Sequence, residues 1–385
     1  MKVSTIIAGL LPLASLIVAA PGCNDVEKVA SKKIDQLQKN YQKYIEATIK
    51  KRQTGCTSKN ILRRKEWGKL SKKERTDYIE AIYCLNRKPG LTPRSEIPGA
   101  RSRWDDFVGS HIQLTPVVHA NGFFLAYHRF LIWEFERALR EECGYKGTQP
   151  YWDWTLEYED QTKSTVWDGS PSSLGSNGVY VANRSAISVR LPTETLVFPP
   201  ATGGGCVQSG PFTADKFTIN LGPIGYEPKG PEGGLGFNPR CLTRDFNPEL
   251  SRTSLRPSNI TALLDCPTYA CFNRDLDKPN RKPGFGVHGA GHFQFGTVQL
   301  DTFISPSDPA FWVHHTQLDR IWTIWQNQDP AVRTYALWGT QTTGNFPPSA
   351  NVTSDTPVPF GHISPPIPLK NLQSSIDGPH CYIYE

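Results

Sequence analysis

The chain has 385 residues, of which 38% are hydrophobic and 11% aromatic; this excludes all but a globular protein with room for a large core, in one big domain or two small ones. Its formal net charge of +6 hides an asymmetry, for residues 1–104 carry 22 Lys and Arg against 9 Asp and Glu, and the remainder 20 against 27. A basic segment can mark a nucleic-acid binder, but these lysines decorate helical patterns in a chain that reads as exported, so nucleic acid is set aside and a solvated helical face docked on the acidic remainder is expected.

Lys2, an apolar run from Ile6 to Ala20 and the small residues Ala19 and Ala20 form the pattern of a cleaved signal peptide over residues 1–20. The run is short for a membrane span and nothing later is apolar enough to be one, so a secreted protein with no membrane partner is expected. Three glycosylation sequons, at Asn183, Asn259 and Asn351, agree. Nine cysteines allow four disulfides and one leftover thiol; their pairing cannot be read from sequence, except that Cys266 and Cys271 read as a loop staple.

"VEKVASKKIDQLQKNYQKYIEATIKKR" is a helical pattern. A scaffold helix is expected after Ser71, which forms a capping box with Glu74 ahead of an apolar stripe at Tyr78, Ile79, Ile82 and Tyr83. A second helix is expected from His128 to Cys143, stopped by Gly144, and a third after Asp308 as N-cap with Pro309 at its first position. Residues 160–285 turn to Gly- and Pro-rich loops containing four cysteines, a long insertion that needs disulfides to hold it.

Six of the nine histidines fall in two triplets: His111, His119 and His128, then His288, His292 and His315. A lone histidine among aromatics is most often a hydrogen-bonded core residue, but two triplets ask for another reading. His288 and His292 are four apart and share a helix face. Glycines 284, 286, 289 and 291 weaken that helix and leave space that a substrate could use. Three neutral imidazoles suit copper, zinc, iron or nickel. A three-histidine zinc site with a bound water is the simplest hydrolytic reading, yet two equivalent triplets favour a paired-metal reaction.

Two stretches then make the pattern specific. "HANGFFLAYHRFLIWEFE" at 119–136 resembles the first copper segment of the tyrosinase, catechol oxidase and haemocyanin superfamily, with His119, His128, Arg129 and Glu136 in register and Tyr127 where Trp or Phe is usual. "DPAFWVHHTQLD" at 308–319 resembles the second, and "PYWDWT" and "CYIY" resemble further landmarks. The resemblance implies a mainly α fold whose four-helix bundle holds two coppers, CuA on His111, His119 and His128 and CuB on His288, His292 and His315. It places this bundle in a domain over residues 101–385, with residues 21–100 a basic helical segment packed on the core.

It also implies an enzyme that oxidises o-diphenols to o-quinones while dioxygen is reduced to water, acting on a small phenolic substrate; the oligomeric state stays open. Asp319 is expected to orient a histidine or else to pair with an exposed arginine on its helix. His314 is expected beside the ligands rather than among them, and His362 and His380 at the surface. Relatives that carry a thioether have a cysteine near the second CuA histidine, where this chain has Val117 and Val118, so no such crosslink is expected; a C-terminal shielding domain is expected to be missing. Ile304 stands where plant relatives place a Phe over CuA, which leaves that approach partly open. Efficient monophenol hydroxylases of the family use an Asn after the first CuB histidine and a Glu before it; here stand Gly289 and a segment without Glu, in which Asp275 or Asp277 is the alternative base, and Phe293 offers a wall for a phenol ring. Tyrosinase activity, an o-aminophenol or secondary-metabolite phenol oxidase and an oxygen carrier of haemocyanin type are the alternatives.

Overall fold

The computed structural model describes residues 23–190, 195–277 and 285–385; the signal-peptide reading of residues 1–20 lies outside them. Ile34, Tyr41, Ile45 and Ile49 follow the helical period, and they form the buried stripe of α1 (Cys23–Lys50), whose lysines face water. Gln38, a polar residue inside the stripe, accepts from Arg320 at 3.0 Å and donates to the Tyr384 carbonyl at 2.8 Å. Of the α1 lysines, Lys33 reaches Asp265 at 2.6 Å; apolar burial, more than charge, seats this helix on the acidic remainder.

α2 (Lys72–Arg87) opens on the expected capping box of Ser71 and Glu74 and buries Tyr78, Ile79 and Ile82. α3 (Arg103–Val118) opens on a second box, of Ser102 and Asp105. α4 (Phe124–Cys143) starts a turn before the expected His128, and Gly144 ends it in the left-handed conformation at φ 71°. The insertion carries short antiparallel strand pairs, among them Ile187–Arg190 with Thr195–Phe198. Small helices follow: α5 (Pro248–Ser254), α6 (Pro257–Leu264), α7 (Tyr269–Asp277), α8 (Val287–Phe293) and α9 (Thr297–Leu300). α10 (Ala310–Gln326) begins a residue later than expected, with Pro309 in the cap position. Asp308 still accepts from the Ala310 N–H at 2.9 Å, but its carboxylate mainly grips the buried Arg244 of the insertion with contacts of 2.9 and 2.7 Å.

Four disulfides form among the described residues, Cys56–Cys381, Cys84–Cys143, Cys206–Cys241 and Cys266–Cys271. The last two brace the insertion as expected, and the side chain of Cys23, left over by this pairing, lies outside the described residues. Asn183 and Asn351 are exposed, whereas the Asn259 amide donates at 2.9 Å to the carbonyls of both Thr253 and Ser254. No helix among the described residues is long and apolar enough to cross a membrane.

The fold is mainly helical, and α3, α4, α8 and α10 make its four-helix core. The strand Leu62–Arg64 pairs in parallel with Tyr382–Tyr384, bringing the two ends of the chain to α4 and α10. There Asp319 of α10 corrects the sequence reading, for it touches no histidine and its arginines are buried. It accepts from Arg129 at 2.5 Å, from Tyr382 at 2.6 Å and from the Tyr384 hydroxyl, with Arg64 at 3.6 Å. Arg64 in turn holds Glu136 at 2.6 Å and lies 3.6 Å over the Tyr382 ring. Burial alone would raise the Asp319 pKa, but Arg129 and Arg64 hold it below the ordinary value. Asp319→Ala strands these guanidinium groups without their counter-charge, and is expected to cost about 3–5 kcal/mol in chemical denaturation of the metal-free protein; a loss below about 1 kcal/mol would show that the network contributes little.

Candidate metal centre

His111 lies on α3, and Thr115 Oγ, one turn later, sits 3.2 Å from its Nδ1. Nδ1 itself is 3.0 Å from the Phe303 carbonyl. α3 carries Pro116 near its end and stops at Val118, so His119 is already extended, at φ −105° and ψ 153°. Its Nδ1 donates back to the Thr115 carbonyl at 3.0 Å, while Thr343 and Asn121 donate to the next two carbonyls, those of Pro116 and Val117. His128 on α4 donates from Nδ1 to the Phe124 carbonyl at 2.8 Å. With every Nδ1 proton engaged, the three Nε2 atoms are the ones left for a metal.

On α8, His288 and His292 share a face as their spacing predicted, and α10 supplies His315. The Nε2 of His292 stands 3.1 Å from that of His288 and 3.0 Å from that of His315. His288 Nδ1 pairs with Asp277, and His292 Nδ1 donates to Gln299 Oε1 at 2.6 Å. His314 belongs to the same group of four imidazoles, but its Nε2 is 3.2 Å from the His288 carbonyl and its ring fills the place of a side chain at Gly291, where a Cβ would come within 2.0 Å of it. That leaves His288, His292 and His315 as the converging set.

The two clusters adjoin. The rings of His128 and His315 stack at 4.2 Å and 11°. Phe124 packs against His128 and His288 at 4.8 and 4.6 Å, and Phe311 against His111 and His315 at 5.2 and 4.2 Å. Burial, reinforced by neighbouring imidazoles, pushes His111 down to about 3 and His119 to about 4, and holds His128, His292 and His315 well below the usual range. The shifts favour the neutral form of these rings, the one that binds metal. The Nε2 atoms of His111 and His128 are buried without a hydrogen-bond partner, a state that costs about 1–3 kcal/mol each unless something satisfies them. Two clusters of converging imidazole nitrogens, with the Nε2 lone pairs of His111 and His128 unpartnered, fit a pair of copper ions.

Several expectations change. Gly291 and Gly286 leave no room for a substrate, because the His314 ring and the Leu276 backbone fill their sides; Gly284 lies outside the described residues. The atoms nearest to a side chain at Gly289 belong to Phe293 and Phe285. Phe293 packs at 4.9 Å on Phe198 and at 5.2 Å on Phe285, in a small cluster beneath the hairpin. Ile304 is fully buried and lies against Gly222 rather than on an open approach. His362 is exposed, as expected, and pairs with Glu96 at 2.8 Å, but His380 is buried and donates to the Ser374 carbonyl at 3.0 Å. Asp275 pairs with Arg274 at 2.8 Å, next to the Cys266–Cys271 staple. Gln299, Phe124 and Phe311 were missed. Phe311 was within reach, since it precedes His315 by one helical turn; nothing in the sequence marks Gln299.

Residues 101–328 match the common central domain of tyrosinase. Tyrosinase P of Aspergillus terreus is 41% identical over 335 residues, covering 86% of this chain and 93% of that protein. The N-acetyl-6-hydroxytryptophan oxidase of Emericella nidulans is 38% identical over 349 residues, covering 86% and 94%. A mutant of the polyphenol oxidase from Thermothelomyces thermophila superimposes with a TM-score of 0.81 at 37% identity, over 94% of this chain and 97% of that one. Sequence, fold and paired buried imidazoles agree: the chain belongs to the tyrosinase family of copper-dependent oxidases, whose cofactor is a binuclear copper centre.

Proposed function

We propose that this protein is an exported oxidase of o-diphenols, with His111, His119 and His128 holding one copper and His288, His292 and His315 the other. When bound, the copper pair supplies paired one-electron chemistry, so that two electrons leave each diphenol for its quinone and dioxygen ends as water. The chain's own part is to orient the imidazoles, and to pack Phe124 and Phe311 between the two halves so that water is kept from them.

The observation that carries the diphenol reading is the surroundings of Gly289. The three heavy atoms nearest to where its side chain would begin are ring and Cβ carbons of Phe293 and Phe285, none of them part of an amide or a carboxylate. Asp277, considered as a substitute base, is engaged with His288. A monophenol must give up its proton to such a base before it is hydroxylated, whereas a diphenol is more acidic and offers two oxygens. Export is supported by the leader-like first twenty residues and by the four disulfides.

Oxygen uptake on copper-loaded protein with catechol, 4-methylcatechol, tyrosol and o-aminophenol tests the substrate reading. Fast oxidation of the catechols is expected, with slow or lagging turnover of tyrosol. Equal, lag-free turnover of tyrosol and 4-methylcatechol would overturn it in favour of tyrosinase activity, faster o-aminophenol turnover would move the substrate class, and oxygen binding without quinone would make the protein a carrier. Gly289→Asn needs the Phe293 ring, 3.2 Å from the new Cβ, to give slightly. It should raise the monophenol-to-diphenol ratio by far less than the ~10²-fold that a placed base supplies.

Metal analysis tests the ligands. Two coppers per chain are expected; His315→Ala should lose one of them and essentially all activity, and His314→Ala should keep both. The opposite pattern, or one zinc per chain, would refute the assignment.

A further inference from the structure

Five of the six imidazoles are anchored through Nδ1, and in two different ways. In the first cluster each Nδ1 meets a main-chain carbonyl, those of Phe303, Thr115 and Phe124, with the Thr115 hydroxyl also beside His111. In the second they differ ring by ring: His288 has the Asp277 carboxylate, His292 the Gln299 amide oxygen, and the buried His315 Nδ1 has no hydrogen-bond partner. A carbonyl fixes a ring but adds no charge. A carboxylate fixes it and also polarises it, which strengthens the nitrogen that faces the metal.

Asp277 is built into this position. It is the last residue of α7, whose first turn is stapled by Cys266–Cys271. Its carbonyl accepts from the Gly286 N–H at 2.8 Å, which docks the end of α7 on the start of α8, two residues before His288. Gly286 is glycine for this reason: a Cβ there would come within 2.0 Å of the Leu276 carbonyl oxygen. The Asp277 side chain stays 42% exposed while that of His288 is 11% exposed, so the carboxylate lies on the solvent side of the imidazole.

We propose that Asp277 is the positioning residue of the second copper: by accepting the Nδ1 proton of His288 it fixes the ring with Nε2 facing inward, and it sets how firmly that half of the centre retains its metal. The first half owes its retention to main chain and is insensitive to such a change. This rests on the ligand assignment above.

The test compares copper-loaded wild type, Asp277→Asn and Asp277→Ala during incubation with a copper chelator, following copper per chain with time. The variants should lose one of their two coppers with affinity weakened about 10- to 100-fold, Ala more than Asn, while the other copper leaves as in wild type. The unfolding temperatures of the copper-free variants and the copper-free wild type separate any loss of fold from the loss of copper. Copper retention like that of wild type in both variants would overturn the proposal. So would both coppers retained with only tyrosol turnover lost, which would make Asp277 a base acting on substrate. A wild type that does not take up two coppers would instead overturn the ligand assignment itself.

Discussion

One buried carboxylate, that of Asp319, holds the centre of the molecule together. Arg64 and Arg129 are fully buried, and such groups are tolerated only where a counter-charge and well-placed acceptors meet them. Asp319 meets both, with Glu136 on the far side of Arg64. Its place on the chain matters as much as its charge, because it follows His315 by one turn of α10, and Arg129 follows His128 directly on α4. The ion pair that locks α4 to α10 therefore stands one step behind the stacked rings of His128 and His315. Through Tyr382, Tyr384 and Arg64 the same carboxylate ties in both ends of the chain.

The second constraint is protonation. An imidazole that presents Nε2 to a metal must keep its proton on Nδ1, and a buried N–H needs an acceptor. The fold economises by giving that bond a second use. The Nδ1 of His119 caps a carbonyl left open where α3 stops after Pro116, and the Nδ1 of His128 shares the carbonyl at the start of α4. Helix termination and ligand orientation are the same hydrogen bond in the first of these, so the end of α3 and the ring of His119 are fixed together.

Much of this was legible before any coordinates. The capping box at Ser71, the Gly144 stop, the staple at Cys266 and Cys271 and the grouping of the histidines all follow from local rules with short range. What escaped depends on contacts between distant parts of the chain. Asp319 was read on its own helix, where four-residue spacing suggested a histidine or an exposed arginine; its partners come from residues 64, 129, 382 and 384. The glycines of α8 were read as open space because sequence gives no account of what lies opposite, and there the His314 ring and the Leu276 backbone fill it. His380 lacked a motif and was placed at the surface, but a buried histidine needs only one acceptor, and the Ser374 carbonyl provides it.

The two histidine clusters differ in how far apart their members lie along the chain. The first spans residues 111–128, a helix, a turn and a helix, and Cys84–Cys143 braces the α2–α4 pair beside it. The second spans residues 288–315, and its helix α10 is anchored by Asp308 to Arg244 in the insertion and by Asp319 to the chain ends. Contacts between near neighbours in sequence close small loops at low entropic cost, whereas those anchors must wait for distant segments to meet. Connectivity thus gives assembly a direction, in which the α3–α4 half can take shape from local contacts and the α8–α10 half is completed only as the insertion and both ends of the chain come home.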